Sequence, residues 1–304
     1  MCAKSRIGVA IPTYNRENYL RILLNTIPDN VEVVISDNGN GCSIEFKEEF
    51  KNRKFIGTDH VIAPLENWNN AASNLDTEWI CLACDDDIFF ENAFSEFNSY
   101  QEKYPDAEMI IFGHKNIDEQ GKEINSWKID TLRVLDSPEG YEIFKYGVDA
   151  RIIGVFFKKD LYNRIGKFDE TFKVTASDSD FIQLALLNCK SVFVPEVTVG
   201  YRIWEKSSTE QTIATKEWMY EVFYWQSKVA AELKKTNYSN YEIRKNTNEV
   251  IARNLVGGLS SLKRQNNDIW NSFKFLLHFR YPFFATIKTQ LRIVSCLLKT
   301  ALKV

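Results

Sequence analysis

The chain has 304 residues, 44% of them apolar and 26% charged, with a formal charge of −3. This composition excludes a disordered or fibrous chain, and no charge-free run exceeds nine residues, under half of the roughly 20 that a membrane-spanning helix needs. The charge is uneven: residues 262–304 carry eight Lys or Arg against one acid, a balance of +7, which leaves −10 on the remainder.

Short β-branched runs alternate with amphipathic stretches along the first two hundred residues. Ile7–Ile11 predicts a strand too short for a signal-peptide core, so the chain is expected in the cytoplasm. A helix over Glu17–Thr26, a strand at Val31–Ser36 and a helix over Ser43–Lys51 follow. Next come a strand at His60–Ala63, a helix over Glu66–Leu75, a strand at Trp79–Ala83 and a helix over Phe90–Tyr104. Met109–Phe112 reads as a strand, residues 115–136 as a less regular insertion, and Ser137–Tyr146 as a helix. Gly154–Phe157 is a strand, Lys159–Ile165 and Asp178–Asn188 are helices, and Ser191–Val194 and Val197–Tyr201 are strands. The alternation predicts an α/β fold with a mostly parallel central sheet, covering residues 1–209. Cys81-Leu-Ala-Cys84 lies within a strand-like run and is read as structural.

Beyond Thr209 the alternation stops, and residues 210–304 read as a helical region. Thr215–Lys235 and Tyr241–Lys263 are long helices, Asp268–Phe284 is rich in aromatic residues, and Ala285–Val304 is amphipathic. Lys288, Arg292, Ser295, Lys299 and Lys303 share one side, beside an apolar stripe of Ile287, Leu291, Val294, Leu298 and Leu302. Two readings of this tail stand: peripheral contact with a membrane surface, or packing of the stripe on the body with the basic side toward water.

Ligands bind parallel sheets beyond the carboxyl ends of the strands, where three strands here end in polar residues. Pro12-Thr13-Tyr14-Asn15-Arg16 follows the first and Ser36-Asp37-Asn38-Gly39 the second. Asp85-Asp86-Asp87 follows the fourth. Adjacent carboxylates repel one another, and a divalent cation is the simplest compensation. Oxygen-only ligands favour Mg²⁺ or Mn²⁺. A solvated acidic turn capping the next helix is the alternative.

Ile11-Pro-Thr-Tyr-Asn-Arg16, Val34-Ile-Ser-Asp-Asn-Gly39, Trp79-Ile-Cys-Leu-Ala-Cys-Asp-Asp-Asp-Ile88 and Ile165-Gly-Lys-Phe-Asp-Glu170, in that order, resemble family 2 glycosyltransferases over about residues 6–208. These are inverting enzymes of the GT-A fold. The resemblance implies that Pro12, Thr13 and Tyr14 line the nucleotide pocket, that Arg16 occupies a position basic in many members, and that Asp37 hydrogen-bonds the base. Asn67 falls where relatives carry an Asn- and Gly-containing loop, with helix capping as the alternative. The acidic triplet stands at the metal-binding D-x-D in either of two registers. Asp85 to Asp87 fits it literally, and the other places Asp85 near the ribose and Asp86 on the metal; Asp86 and Asp87 are the metal candidates. Asp178 aligns with the general base, with Ser177 in place of the usual Glu, while Asp180 supports the site and Asp169 is structural. Arg202 pairs with either the diphosphate or a carboxylate of the body. The Lys206–Thr209 loop would fold over the donor, and Trp204 replaces a His of many members.

The implied activity is metal-dependent transfer of a sugar from a nucleotide sugar, UDP-linked, to a glycan or polyprenyl-linked saccharide, in bacterial surface-polysaccharide biosynthesis. An inactive nucleotide-sugar-binding subunit is the alternative that Ser177 favours. A sugar-phosphate nucleotidylyltransferase is a further one, although Ile7–Arg16 lacks the Gly-rich phosphate loop of that class. The acidic body and the absence of a reading motif argue against nucleic acid.

Overall fold

A computed structural model describes residues 6–203, 212–264, 268–279 and 281–302. Its strands are β1 (Ile7–Thr13), β2 (Glu32–Asp37), β3 (Lys54–Gly57), β4 (Trp79–Leu82), β5 (Ile88–Phe89), β6 (Met109–Ile117), β7 (Glu123–Trp127), β8 (Arg133–Leu135), β9 (Val155–Lys158) and β10 (Ser191–Arg202). They form one ten-stranded sheet of order β3-β2-β1-β4-β9-β6-β10-β5, with β7 on β6 and β8 on β10. The pairs β1–β2, β1–β4, β2–β3 and β6–β10 are parallel. Strand β9 is antiparallel to both β4 and β6 and β5 is antiparallel to β10, so six strands of the main order run the same way, with β9 inverted between them and β5 inverted at the end.

Helices α1 (Glu17–Leu24), α2 (Ile44–Glu49), α3 (Pro64–Ser73), α4 (Ala93–Lys103), α5 (Tyr141–Phe144), α6 (Lys159–Arg164) and α7 (Ser177–Leu186) fall between the strands in chain order. All seven residues of β1 are buried, the mark of a strand covered on both faces. Ile7, Val9 and Ile11 join Leu20 and Leu23 of α1, Phe46 of α2 and Phe97 of α4 in one core. By the two-residue period of a strand, Gly8 and Ala10 serve the opposite face. There a Cβ on Gly8 would stand 2.6 Å from the side chains of Leu75 and Thr77. Within the core, Phe97 stacks on Phe156 at 4.9 Å and meets Trp79 edge-on at 5.3 Å. Truncating any of these rings to Ala costs about 3–5 kcal/mol.

Several expected elements differ. The third strand is Lys54–Gly57 instead of His60–Ala63: a four-residue edge strand tolerates the charge of Lys54, whereas Val61 is exposed in a loop. Residues 115–136 hold β7 and β8, whose exposed residues lack apolar alternation. The two strands expected at Ser191–Val194 and Val197–Tyr201 are one, β10, with shifts in its register against β6 between Phe193 and Val199. The helix expected over Ser137–Tyr146 shrinks to α5, after Pro138 and Gly140, both poor in helix interiors.

The residues group into two compact units. One, residues 1–141, 149–173 and 185–204, contains the sheet; the other, 142–148, 174–184 and 205–304, is helical. The segments 142–148 and 174–184 thus group with the helices, although the sequence assigns them to residues 1–209. In the helical unit, α8 (Lys216–Leu233) is capped by Thr215 and α10 (Ile269–His278) by Asp268, each accepting a first-turn N–H. The buried Glu249 of α9 (Asn240–Arg264) accepts the Thr289 hydroxyl at 2.6 Å and the Thr286 N–H at 2.8 Å, tying α11 (Ile287–Leu302) to α9. Among the described residues no helix is long and apolar enough to cross a membrane.

Candidate active site

Parallel pairing aligns the carboxyl ends of three strands. Thr13 lies opposite Asp37 on β2, and Ala10 opposite Leu82 on β4, so β1 runs past the end of β4 to reach the acidic turn. There the Thr13 hydroxyl donates to Asp85 Oδ2 at 2.8 Å, and the Tyr14 N–H reaches the same carboxylate. Arg16 Nη1 donates to Asp86 at 2.9 Å and to Asp85 at 3.4 Å. Burial pushes the Asp85 carboxyl up to about 6 against the opposing pull of the Thr13 hydrogen bond. Asp87 is fully enclosed, and burial, reinforced by the charge of Asp86, holds its carboxyl well above the ordinary range.

The triplet does not converge on one point. Asp85 and Asp86 share Arg16, whereas Asp87 Oδ1 turns to β10 and accepts the Arg202 N–H at 3.0 Å. Arg202 itself is 6% exposed. Its Nε donates to the Asp86 carbonyl at 2.8 Å, and its Nη1 to the carbonyls of Asp118 and Glu119 at 2.7 and 2.9 Å. The guanidinium therefore clamps the acidic turn to the β6–β7 turn through main-chain oxygens, a contact neither sequence reading anticipated.

Asp37 is completely buried. Its carboxylate accepts the Cys42 N–H at 3.2 Å and pairs with Lys47 Nζ at 2.8 Å, closing the 38–42 loop. Pro12 is buried on β1, while Tyr14 is half-exposed beyond it. Asn67 is no helix cap: it lies inside α3, whose N-cap is Ala63, and accepts the Ser36 hydroxyl at 2.6 Å. Asn70 also donates to Ser36. Lys47 escaped the sequence reading, which named Ser36 only as a strand-end residue; the signal for Lys47 was its place four residues after Ser43, the N-cap of α2. An open cavity of about 470 Å³ lies on the α3 side, lined by Thr58, Asp59, Glu66, Asn70 and Glu170. Its lining does not include the acidic turn.

In the helical unit, Asp178 and Asp180 lie in the first turn of α7. Asp180 is buried and pairs with Lys228 Nζ at 2.6 Å. Asp178 is half-buried, with Oδ1 accepting the Ser179 N–H at 2.7 Å. Ala176, just before the helix, has a φ of +63°, a conformation that costs a non-glycine residue about 1–2 kcal/mol. Glu221 holds the segment in place by accepting the N–H groups of Val174 and Thr175. Asp169 accepts the Thr171 N–H within its own turn. Trp204 and Lys206–Thr209 lie outside the described residues.

Among the described residues no three His, Cys, Asp or Glu side chains converge as a ready-made metal centre. The chemistry of the turn nonetheless suits a hard cation completed by its substrate. Asp87 Oδ2 is a buried oxygen without a hydrogen-bond partner, and Mg²⁺-type sites use one or two carboxylates plus phosphate oxygens and water.

The chain is similar in sequence and in fold to known glycosyltransferases. The chain is 23% identical to the minor teichoic acid biosynthesis protein GgaA of Bacillus subtilis over 235 residues, 71% of this chain and about half (51%) of that protein. It is 20% identical to the GalNAc(5)-diNAcBac-PP-undecaprenol beta-1,3-glucosyltransferase of Campylobacter jejuni, covering 72% of this chain and 71% of the enzyme. In fold it is similar to S. aureus TarS 1–349 in complex with UDP-GlcNAc, with a TM-score of 0.61 at 14% identity over 97% of this chain and 90% of that one. A mannosyltransferase from Pyrobaculum calidifontis in complex with GDP-Man and Mn²⁺ gives a TM-score of 0.53 at 12% identity, over 98% and 88% of the two chains. The sequence model of glycosyl transferase family 2 matches residues 8–160, half of the chain. The strand ends that gather Thr13, Asp37 and the acidic turn all fall within that match, and the chain belongs to glycosyl transferase family 2.

Proposed function

We propose that this glycosyltransferase moves a sugar, with inversion, from a UDP-sugar to a hydroxyl of a glycan or lipid-linked saccharide in bacterial surface-polysaccharide assembly. The observation that carries the reading is the meeting of Thr13, Arg16 and the acidic turn at the carboxyl edge of parallel strands, the ligand side of such sheets. Support for the donor comes from TarS, solved with UDP and with UDP-GlcNAc. For the acceptor class it comes from the teichoic acid protein and the undecaprenol-linked substrate in the Campylobacter enzyme's name.

Each residue then has a task. The half-exposed Tyr14 ring offers a platform for the base, with Pro12 and Asn67 shaping the floor and Asp37 holding the loop beside it. Asp85, fixed by Thr13, meets the ribose. Arg16 is a cation within reach of the diphosphate, and Arg202 keeps the turn in shape. A divalent cation, Mn²⁺ or Mg²⁺, held by Asp86 and Asp87 would supply countercharge to the departing diphosphate. Asp178 takes the acceptor hydroxyl's proton as that oxygen bonds to the anomeric carbon and the bond to UDP breaks. Asp180, paired with Lys228, supports the start of α7.

The test is a panel of UDP-sugars with Mn²⁺ and a lipid-linked acceptor, reading both UDP binding and turnover. Asp178→Asn should keep UDP binding and lose about 10²–10⁴-fold in turnover. Undiminished turnover removes Asp178 from its role. UDP binding by the native protein without turnover across the panel favours the inactive-subunit reading, to which Ser177 points.

A further inference from the structure

We propose that the C-terminal helices form a face that docks on a bilayer containing anionic phospholipid. Helix α11 has three distinct sides. Thr289, Ile293 and Thr300 are buried and seat it. On the other side Ile287, Leu291, Val294, Leu298 and Leu302 are 77%, 62%, 46%, 57% and 71% exposed. Between them, at 100° per residue, run the exposed Lys288, Arg292 and Lys299, and the helix carries no acid. An amphipathic helix of a globular protein ordinarily turns its apolar stripe inward; this one seats itself through two threonines and Ile293 and leaves its five-residue aliphatic stripe to solvent.

The preceding segment does the same. Helix α10 buries Ser272 and Phe275 but exposes Trp270, Phe273 and Leu277, and Phe283 and Phe284 are exposed in the connection to α11. Exposed apolar surface on this scale marks an interaction site. Its chemistry selects the occupant: a basic helix with Leu, Phe and Trp on its apolar side suits the headgroup boundary, and Lys and Arg draw it to anionic lipid. A second copy of the chain is a poor occupant, because two-fold pairing of this face would bring like-charged helices together. The inference stands apart from the donor reading, and its test uses no turnover.

The test is cosedimentation of the full chain with phosphatidylglycerol-containing vesicles and with phosphatidylcholine vesicles, alongside size-exclusion measurement of mass. Binding to the anionic vesicles that weakens with salt is expected, with little binding to the neutral ones. K288Q/R292Q/K299Q should weaken partitioning about a hundredfold, and L291E/L298E should abolish it. Unchanged unfolding midpoints would show both variants folded, since all five residues are exposed. The inference is overturned by absence of binding to anionic vesicles, by equal binding to neutral ones, by binding that survives both variants, or by a dimer that L291E/L298E dissociates.

Discussion

Replacing Arg202 with Met separates a clamp from a substrate contact. The substitution keeps most of the volume but strips three N–H donors, one from the buried carbonyl of Asp86 and two from the part-buried carbonyls of Asp118 and Glu119. A buried acceptor left without its donor costs about 1–3 kcal/mol and each part-buried bond about 0.5–1.5 kcal/mol, so a loss of about 2–6 kcal/mol is expected. At about 2–4 °C per kcal/mol for a domain of this size, the unfolding midpoint should fall on the order of 10 °C. UDP affinity should fall with it, because the main chain of the acidic turn is released. Arg202→Lys keeps the charge, but one ammonium lacks the rigid fork that reaches all three carbonyls, and less than half of the loss should be recovered. Thermal and urea unfolding, run beside UDP titration, decide the matter. A variant that melts within about 2 °C of the native protein while losing UDP affinity would refute the clamp and return Arg202 to the diphosphate.

Two further perturbations test other parts of the sheet unit. Asn69 is buried; it donates to Phe168 O and Glu170 at 2.8 Å each and accepts from the Tyr162 hydroxyl at 2.7 Å and the Phe168 N–H at 3.2 Å. Asn69→Leu should therefore cost about 3 kcal/mol in urea unfolding, and a loss under about 0.5 kcal/mol would deny the network any weight. His114 is buried against Trp127, and burial, aided by the charge of Arg151, lowers its imidazole from 6.5 to about 4. The unfolded chain takes up this proton first, so the stability from a neutral His114 is complete above pH 6.5 and is lost as pH falls toward 4. The expected slope is up to about 1.4 kcal/mol per pH unit. His114→Gln should flatten stability over that window, and an unaltered acid limb would sink the assignment.

How much was legible in the sequence depended on where each residue's partners lie along the chain. The buried strands announced themselves, because β1 and β4 are apolar on both faces and end in polar residues at the ligand edge. Edge and surface strands did not. Lys54 on β3 and the exposed residues of β7 have no core face to impose alternation, and β5 is only two residues long. Thr13, Arg16 and the acidic turn could be named from their strand-end positions. Their mutual bonds, spanning some 70 residues, depend on strand order, which local pattern does not encode. The same holds for Arg202, whose carbonyl partners are invisible to any reading of side chains. Lys47 looked like an ordinary surface residue until α2 brought it to Asp37, and Ser36 like an ordinary strand residue until α3 brought Asn67 and Asn70 to it.

The borders of the sheet bear on how the protein behaves when crowded. Strand β10 is bordered on its outer side by β8 at one end and β5 at the other, while β6 passes from β9 to β7 along its length. Among the described strands, the long ones thus find partners on both sides. At the far end stands β3, four residues long and opened by an exposed Lys54. Short, charged borders are poor templates for the growth of a sheet from one molecule into the next. A protein concentrated on a surface by its C-terminal helices would meet its neighbours at high local density, and such borders would keep those encounters from seeding strand-to-strand polymers.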